Sequence, residues 1–183
     1  MNYFKIDRCS ISNGIGVRTV LWVAGCSHHC FNCQNPETWN AENGIKFDEN
    51  AMQTIIKYLS EDFIDGITFS GGDPLYRLNV VTITEISRKL RELFPNKTQW
   101  LYTGYTWEEI INSDLKEAIR NIDIIVDGTY LDNKRNTTLA FRGSSNQRII
   151  DVKTSLYRKN IEVTTNCPSL FNTSIERRLF NLG

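Results

Sequence analysis

The sequence predicts an α/β fold in which mostly parallel strands alternate with helices. Short apolar runs recur along the chain, and segments of helical periodicity separate them, which is the pattern of repeated βα units. A polar or glycine-rich segment follows each expected strand. In parallel α/β folds, ligands bind at this carboxyl edge of the sheet. We therefore expect one site, assembled from several loops at one edge.

The apolar runs predict four strands, and three helices are expected between them. The strands are Val17–Val23, Gly66–Phe69, Gln99–Tyr102 and Ile122–Val126, followed by GCSHHC, SGGDP, TGYT and DGTY. The helices begin at Asp48, about Leu78 and Thr106, and they end at about Leu59, Phe94 and Ile119. Asp48 and Thr106 are favourable N-cap residues, and Pro95 marks the end of the second helix.

Composition limits the setting in which the protein works. Of the 183 residues, 40% are apolar and 23% are charged, which is typical of one globular domain. The 21 basic and 21 acidic residues balance, so nothing favours binding to nucleic acid or to an anionic membrane. The amino terminus lacks a signal-peptide pattern, and no apolar run is long enough to span a bilayer. We expect a cytoplasmic protein, in which clustered cysteines indicate metal or redox chemistry.

The chain is expected to divide into a core domain, residues 1–151, and a C-terminal extension, residues 152–183. The βα pattern weakens after Asp151. The extension holds Cys167, Pro168 and a basic helical end, IERRLF. The sequence assigns no role to it.

Three of the five cysteines stand within eight residues, in the segment GCSHHCFNC. Cys26, Cys30 and Cys33 have the spacing of one helix face. The residues between them are poor helix formers, Gly25 precedes the run and Pro36 ends it. A polar loop is therefore the better interpretation, and three thiols in one loop indicate a metal site.

The spacing alone leaves two metals open. A structural zinc site takes four ligands, and His28 or His29 could supply the fourth. A 4Fe-4S cluster normally takes four cysteines, so three thiolates would leave one iron open to a substrate or cofactor. Cys9 and Cys167 lie outside the loop, and neither has a spacing that recommends it as a ligand.

The SGGDP segment after the second expected strand is a candidate ligand-binding turn. Gly71 and Gly72 could form no more than a tight turn before a helix that starts at Pro74. Bare glycine backbone also lets a ligand approach closely, and Asp73 could act as an acceptor or a cap. On this interpretation, a bulky side chain at Gly72 blocks the ligand and leaves the metal in place.

The cysteine loop and this turn together resemble the radical S-adenosylmethionine (SAM) enzymes. CSHHCFNC has their CxxxCxxC motif, and SGGDP is similar to their glycine-rich turn for the methionine moiety. Several further segments resemble the branch that activates anaerobic ribonucleoside-triphosphate reductase. They are NGIGVRTVLWVAGC, CQNPETW, YTGYT, IVDGTY and FRGSSNQRIID. The resemblance covers residues 3–151.

The resemblance implies an open, partial radical SAM (β/α) barrel and a 4Fe-4S cluster held by Cys26, Cys30 and Cys33. The open iron would bind the amino and carboxylate groups of SAM, and an electron from a donor such as flavodoxin would cleave the sulfonium. The resulting 5′-deoxyadenosyl radical would take a hydrogen atom from a glycine of the reductase, leaving a glycyl radical. The implied cofactor contacts are Asn32, Cys33 and Gln34 at the adenine, and Ser70, Gly71, Gly72 and Asp73 at the methionine end.

Two departures from the family pattern affect these expectations. The aromatic residue that often precedes the third cysteine is Asn32 here, and Phe31 stands one position earlier. The adenine contact is therefore expected to be backbone-only or displaced. The NGPG turn of the family reads NGIG, with Ile15 in place of proline, which costs a little stiffness.

Several other residues keep two interpretations each. His28 and His29 are more consistent with solvated loop residues than with ligands. Asp127 could line the site or cap a turn. Arg142 could bind a carboxylate bidentately or pack its stem on the surface.

The leading functional hypothesis is a radical SAM oxidoreductase that activates anaerobic ribonucleoside-triphosphate reductase. One alternative is an activase of another glycyl radical enzyme, of the pyruvate formate-lyase type. The other is a zinc-stabilised binding module without catalysis. A structural zinc loop would not need glycine turns at the other strand ends, which argues against the last.

Overall fold

A seven-stranded sheet forms the centre of the fold. The computed structural model of the chain describes residues 1–164. The strands are β1 (Asn2–Ser10), β2 (Arg18–Val23), β3 (Ile45–Lys46), β4 (Gly66–Gly71), β5 (Thr98–Tyr102), β6 (Ile124–Asp127) and β7 (Arg148–Asp151). Their order across the sheet is β3-β1-β2-β4-β5-β6-β7. The four expected strands are all present, with ends shifted by one or two residues, and β1, β3 and β7 are additional to them.

The middle of the sheet is parallel and its edges are antiparallel. β2, β4, β5 and β6 pair in parallel. β1 is antiparallel to both β2 and β3, and β7 is antiparallel to β6, so five of the seven strands run in one direction. The sheet is not closed, because β3 and β7 are its two ends. The predicted α/β class with an open, mostly parallel sheet is confirmed, and its assignment as a partial radical SAM barrel stays a prediction.

Five helices accompany the sheet within residues 1–164. They are α1 (Glu49–Leu59), α2 (Val80–Leu93), α3 (Trp107–Ile111), α4 (Leu115–Ala118) and α5 (Val152–Arg158). Asp48 caps α1 as predicted, because its side chain accepts a hydrogen bond from the Ala51 N–H. None of these helices is both long enough and apolar enough to cross a membrane.

The helix expected from Thr106 to about Ile119 is two helices, α3 and α4. Thr106 caps α3 in a reciprocal capping box with Glu109, as its residue type favours. The break follows Ile111, where the Asn-Ser-Asp segment can form local side-chain bonds that compete with the helix. The Ser113 hydroxyl, for example, donates to the Ile110 carbonyl at 3.2 Å.

The two faces of the sheet differ in what covers them. Phe69 and Leu101 are fully buried in the apolar core that the helices complete. Their neighbours Ser70 and Tyr102 point to the opposite side, because side chains alternate along a strand, and there they line a cavity. We call this second side the open face.

A buried arginine closes the amino-terminal end of the open face. Arg18 is fully buried, and its guanidinium lies over the Trp100 ring, 5.4 Å from the centroid. Burial lowers the pKa of Arg18. Five hydrogen bonds of 2.6–3.1 Å replace the water that the guanidinium loses. They go to the side chains of Thr68 and Thr98 and to the carbonyls of Ile15, Ile67 and Thr98.

The first part of the expected C-terminal extension packs on the sheet. Val152 is fully buried in the same core as the helices. Asp151 caps α5 by accepting from the Thr154 N–H at 2.8 Å. Ile150 forms an antiparallel bridge with Val163. Cys167 and the rest of the extension, residues 165–183, lie outside the described residues.

Candidate metal centre

The three cysteines lie in an irregular loop that follows β2, as the sequence predicts. His29 in this loop has a left-handed backbone with φ of 44°, so the segment does not continue as a helix. The start of the loop is fixed to the segment that follows it. The Gly25 N–H donates to the Thr38 carbonyl at 2.7 Å, and the Cys26 N–H donates to the Trp39 carbonyl at 3.0 Å.

Backbone N–H groups lie close to the cysteine sulfurs. The Asn35 N–H donates to the Cys33 sulfur at 3.4 Å, and the N–H groups of His28 and His29 lie near Cys26, as that of Tyr130 does near Cys30. Burial still raises the pKa of the Cys26 thiol to about 11 and also raises the pKa of Cys30. Hydrogen bonds to sulfur are among the features that tune iron–sulfur clusters. The nearby N–H groups suit sulfurs that bind a metal, whereas burial favours the protonated thiols when no metal is bound.

The SGGD turn after β4 packs directly against the start of the cysteine loop. The Gly72 N–H donates to the Val23 carbonyl, and the Asp73 N–H donates to the Gly25 carbonyl, each at 2.8 Å. Asn79 is buried, and its side-chain amide donates to carbonyls in both segments at 2.8 and 2.9 Å. The turn and the loop therefore form one unit.

This packing corrects the expected effect of a side chain at Gly72. A Cβ atom at Gly72 would lie 2.5 Å from the carbonyl oxygen of Gly25. Gly71 has φ of 100°, and a Cβ atom there would lie 2.8 Å from backbone atoms of Val23. Both glycines make room for the chain that leads into Cys26. A bulky residue at Gly72 would displace that chain, so we no longer expect the metal site to be spared.

Asp73 is a buried acceptor that joins three loops. Its Oδ1 accepts from the Leu75 N–H at 2.8 Å, and the Thr103 hydroxyl lies 2.9 and 3.0 Å from its two oxygens. The Gly104 N–H donates to Oδ2 at 3.0 Å, and Nε2 of His28 lies 2.8 Å from the same oxygen. These groups occupy the carboxylate, and the N–H and carbonyl of Asp73 are already paired with Gly25 and Asn79, so Asp73 joins the loops and does not offer a free polar group to a cofactor.

His28 is held between loops, which corrects its expected place as a solvated residue. Its side chain is only 15% exposed, and its ring meets the Tyr105 ring edge-on at 4.7 Å. The ring also fills the space of a side chain at Gly104, where a Cβ atom would lie 2.4 Å away. Its contact with Asp73 has the distance of an ion pair but not the alignment of a hydrogen bond. The Asp73 carboxylate raises the pKa of His28, and burial opposes this shift.

A cavity of about 480 Å³ lies on the open face, below the cysteine loop and the turns after β4, β5 and β6. Most of the expected site residues line it. These are Cys26, Cys30, Cys33, Gln34, Ser70, Gly71, Gly72 and Asp73. Thr103 and Gly104 from TGYT and Gly128 from DGTY line it as well. The loops after four parallel strands therefore meet at one cavity, as the βα pattern predicts.

Asn32 stands outside this cavity. It is exposed, has φ of 54°, and donates through its side-chain amide to Asp132 at 3.2 Å. Phe31 is 77% exposed and does not line the cavity either. Cys33 and Gln34 do line it. Of the three residues expected beside an adenine, these two have side chains at the cavity.

The structure separates the interpretations of Asp127 and Arg142. Asp127 is buried, accepts from the Trp107 N–H at 2.7 Å and pairs with Arg148 at 2.5 Å. It therefore binds the first N–H of α3, whose N-cap is Thr106, and does not line the cavity. Arg142 does line the cavity, and one of its terminal N–H groups donates to the Gln147 carbonyl at 3.1 Å.

The sequence did not indicate the residues that fix the loops to one another. Asn79 and Thr103 have their partners in distant segments. Gln147 holds two loops, because its side chain accepts from the Gly143 N–H at 2.9 Å and donates to the Gly128 carbonyl at 3.1 Å. Gln147 stands in the RGSSNQ segment, so the motif was visible although its role was not.

The arrangement of the thiols suits a cluster. In the part of the chain that the structure describes, no three His, Cys, Asp or Glu side chains are grouped to hold a single metal ion. In a 4Fe-4S cluster each cysteine binds a different iron, so the thiolates need not converge on one point. The three thiols share one cavity and have backbone N–H groups close to their sulfurs, which fits such a cluster.

The known proteins that are similar to this chain support an iron–sulfur site. Residues 12–150 match the family described as "4Fe-4S single cluster domain". The anaerobic ribonucleoside-triphosphate reductase-activating protein of Enterobacteria phage T4 is 42% identical over 149 residues, which is 81% of this chain and 93% of that protein. Proteins of the same name from Haemophilus influenzae and Escherichia coli are 36% and 37% identical, over 81% and 80% of this chain and 97% and 96% of theirs.

The chain is thus a protein of the 4Fe-4S single cluster domain class. Within that class it belongs to the family of anaerobic ribonucleoside-triphosphate reductase-activating proteins, which confirms the resemblance seen in its motifs.

Proposed function

We propose that this protein activates anaerobic ribonucleoside-triphosphate reductase by generating a glycyl radical on it. It would do so as a radical SAM oxidoreductase, through reductive cleavage of SAM at a 4Fe-4S cluster. Cys26, Cys30 and Cys33 would hold the cluster. The relatives with 34–42% identity carry the name of this activity, which supports the assignment.

One observation carries the proposal. The three thiols line the same cavity as the SGGD turn, whereas Cys9 lies exposed on β1. With three thiolates for four irons, one iron has no cysteine and can bind a cofactor. The backbone of Gly71 and Gly72 lies at the same cavity. The site therefore has room for a cofactor beside the cluster.

In this reaction, the residues of the chain would position the cluster and SAM and partly shield them from water. When bound, the cluster and SAM would supply a one-electron reductive cleavage that releases methionine, and the radical left from that cleavage would take a hydrogen atom from the target glycine. The backbone bonds of Gly25 and Cys26 fix the start of the loop that holds the thiolates. Asp73 holds the cysteine loop, the SGGD turn and the TGYT loop together. A cofactor bound in the cavity would be partly shielded from water, which would disturb a radical reaction.

The partners follow from the same chemistry. The target glycine belongs to another protein, so it must reach the cavity from outside, and the sheet is open between β3 and β7. A one-electron donor such as flavodoxin would reduce the cluster.

The proposal predicts that cleavage of SAM requires Cys26, Cys30 and Cys33 and does not require Cys9. Anaerobically reconstituted protein should bind about four irons per chain. After reduction in the presence of SAM, it should release methionine and 5′-deoxyadenosine, measured by chromatography. Cys26→Ala, Cys30→Ala and Cys33→Ala should each abolish both products, because an incomplete site cannot hold the cluster. Cys9→Ala, the matched control, should release both.

Two results would favour one of the alternative functions. Stoichiometric zinc without iron–sulfur absorption, after careful anaerobic reconstitution, would favour a zinc-stabilised binding module. Cleavage of SAM without a radical on an active preparation of the reductase would favour another glycyl radical enzyme as the partner, such as one of the pyruvate formate-lyase type.

A further inference from the structure

The cavity contains buried hydrogen-bond donors that have no partner within residues 1–164. The Nε of Arg142, the hydroxyl of Tyr102 and the indole N–H of Trp39 are buried and unpaired there. All three residues line the cavity. A buried donor without a partner destabilises the fold unless a ligand or water pairs with it. These donors therefore indicate a ligand that brings acceptors into the cavity.

Arg142 is the cation of the cavity wall. Among the described residues that line the cavity, it is the only lysine or arginine. The other side chain that can carry positive charge there, His28, already faces the carboxylate of Asp73. The guanidinium of Arg142 donates to the carbonyl of Gln147 at 3.1 Å rather than to a carboxylate. Its charge is therefore available to an anionic group of a ligand.

The loop that carries Arg142 is held in a fixed position. Phe141 has φ of 57°, an unfavourable backbone for a bulky residue, and its ring packs edge-on against Trp100 at 5.5 Å. A Cβ atom at Gly143 would lie 3.2 Å from the side-chain amide of Gln34, one residue after the third cysteine. Arg142 is thereby held beside the cysteine loop.

We propose that Arg142 binds the carboxylate of SAM, an inference that rests on the proposed function. Binding to the open iron would leave part of the carboxylate, the one anionic group of SAM, without a partner, and burying that part requires charge-assisted hydrogen bonds. A guanidinium offers two parallel N–H groups that match a carboxylate. The adenine and the target glycine are uncharged, so neither needs a buried cation.

The test compares two ligands and four proteins. The affinities of the reconstituted, full-length protein for SAM and for decarboxylated SAM are measured by equilibrium dialysis. Arg142→Gln should weaken SAM binding roughly ten- to hundred-fold and leave binding of the decarboxylated compound unchanged. Arg142→Lys should show a smaller loss, because a point charge replaces the two-pronged guanidinium. Arg135→Gln, which removes an exposed cation from the same segment, should change neither affinity.

Iron content and circular dichroism verify that each variant keeps its cluster and fold. If Arg142→Gln loses iron, the affinities of Arg142→Lys for the two ligands are compared instead. Equal losses for both ligands would overturn the proposal, because Arg142 would then act on the loop and not on the carboxylate. Unchanged SAM affinity with weaker binding of the reductase would overturn it too, and would assign the guanidinium to the protein substrate. Failure of the wild-type protein, with its cluster intact, to bind SAM would instead contradict the proposed function itself.

Discussion

A Cβ atom added at Gly72 would lie 2.5 Å from the carbonyl oxygen of Gly25, one residue before the first cysteine of the loop. From the sequence, we predicted that a bulky side chain at this position is unfavourable because a ligand approaches the backbone closely there. The structure shows a second requirement, the close approach of the chain's own backbone. At this scale, residue type predicted the location of the site but not the contacts that shape it.

Gly72→Val is expected to lower the iron content well below four per chain, because the new side chain displaces the backbone that leads into Cys26. Iron and sulfide assays after anaerobic reconstitution measure this. Gly128→Ala is the control: its Cβ atom would meet only the Asn146 amide at 3.8 Å, although its φ of 90° costs about 1–2 kcal/mol of stability. It should keep its irons. Full iron content in Gly72→Val would contradict the packing described.

Asp73 shows why single-residue roles were only partly predictable. The sequence allowed it to be an acceptor, and the structure confirms that it accepts hydrogen bonds. Its donors Thr103 and Gly104 lie 30 and 31 residues away along the chain. No local pattern encodes such a pairing, because it depends on which strands become neighbours in the sheet. The same holds for Asn79 and its partners before the cysteine loop.

At the scale of elements, the parallel strands were predictable and the antiparallel ones were not. β2, β4, β5 and β6 are apolar runs, buried on both sides, and such runs are readily recognised. β1 is irregular, because its pairing with β2 shifts register between Tyr3 and Lys5 and again between Asp7 and Ser10. These irregularities interrupt the alternation by which a half-buried strand is recognised. β3, with two residues, is too short to show any period.

Asp127 joins three elements, since it ends β6, accepts from the first N–H of α3 and pairs with Arg148 of β7. Asp127→Asn is expected to lower the free energy of unfolding by about 2 kcal/mol, because a buried charged acceptor is lost. The expected loss is no larger because water partly screens the charge of the Arg148 side chain, which is 30% exposed. Urea unfolding measures the change.

Glu117→Gln is the matched control, because the pair of Glu117 with Arg120 is exposed and should contribute less than about 1 kcal/mol. Asp127→Asn should also retain its irons, since Asp127 does not line the cavity. Equal stability of the two variants, or loss of iron from Asp127→Asn, would contradict the role given to Asp127.

At the scale of the whole molecule, the α/β class, the shared edge of the site and the family were all predictable from the sequence. The motifs follow the carboxyl ends of parallel strands, and parallel strands bring those ends together. The closure of the sheet was not derivable from local patterns, since it depends on which strands pair at the edges. Here two antiparallel strands, β1 and β7, flank the parallel centre, and the sheet stays open.

The central claim is that the three thiols beside the SGGD turn serve to place a radical on another protein. Electron paramagnetic resonance of the anaerobic reductase, after incubation with the reduced, reconstituted protein and SAM, tests this most directly. The prediction is a glycyl radical signal with the wild-type protein and with Cys9→Ala, and none with Cys33→Ala. Absence of the signal with the wild-type protein, when its cluster is intact and reduced and the reductase is competent, would contradict the claim. So would an equal signal with Cys33→Ala.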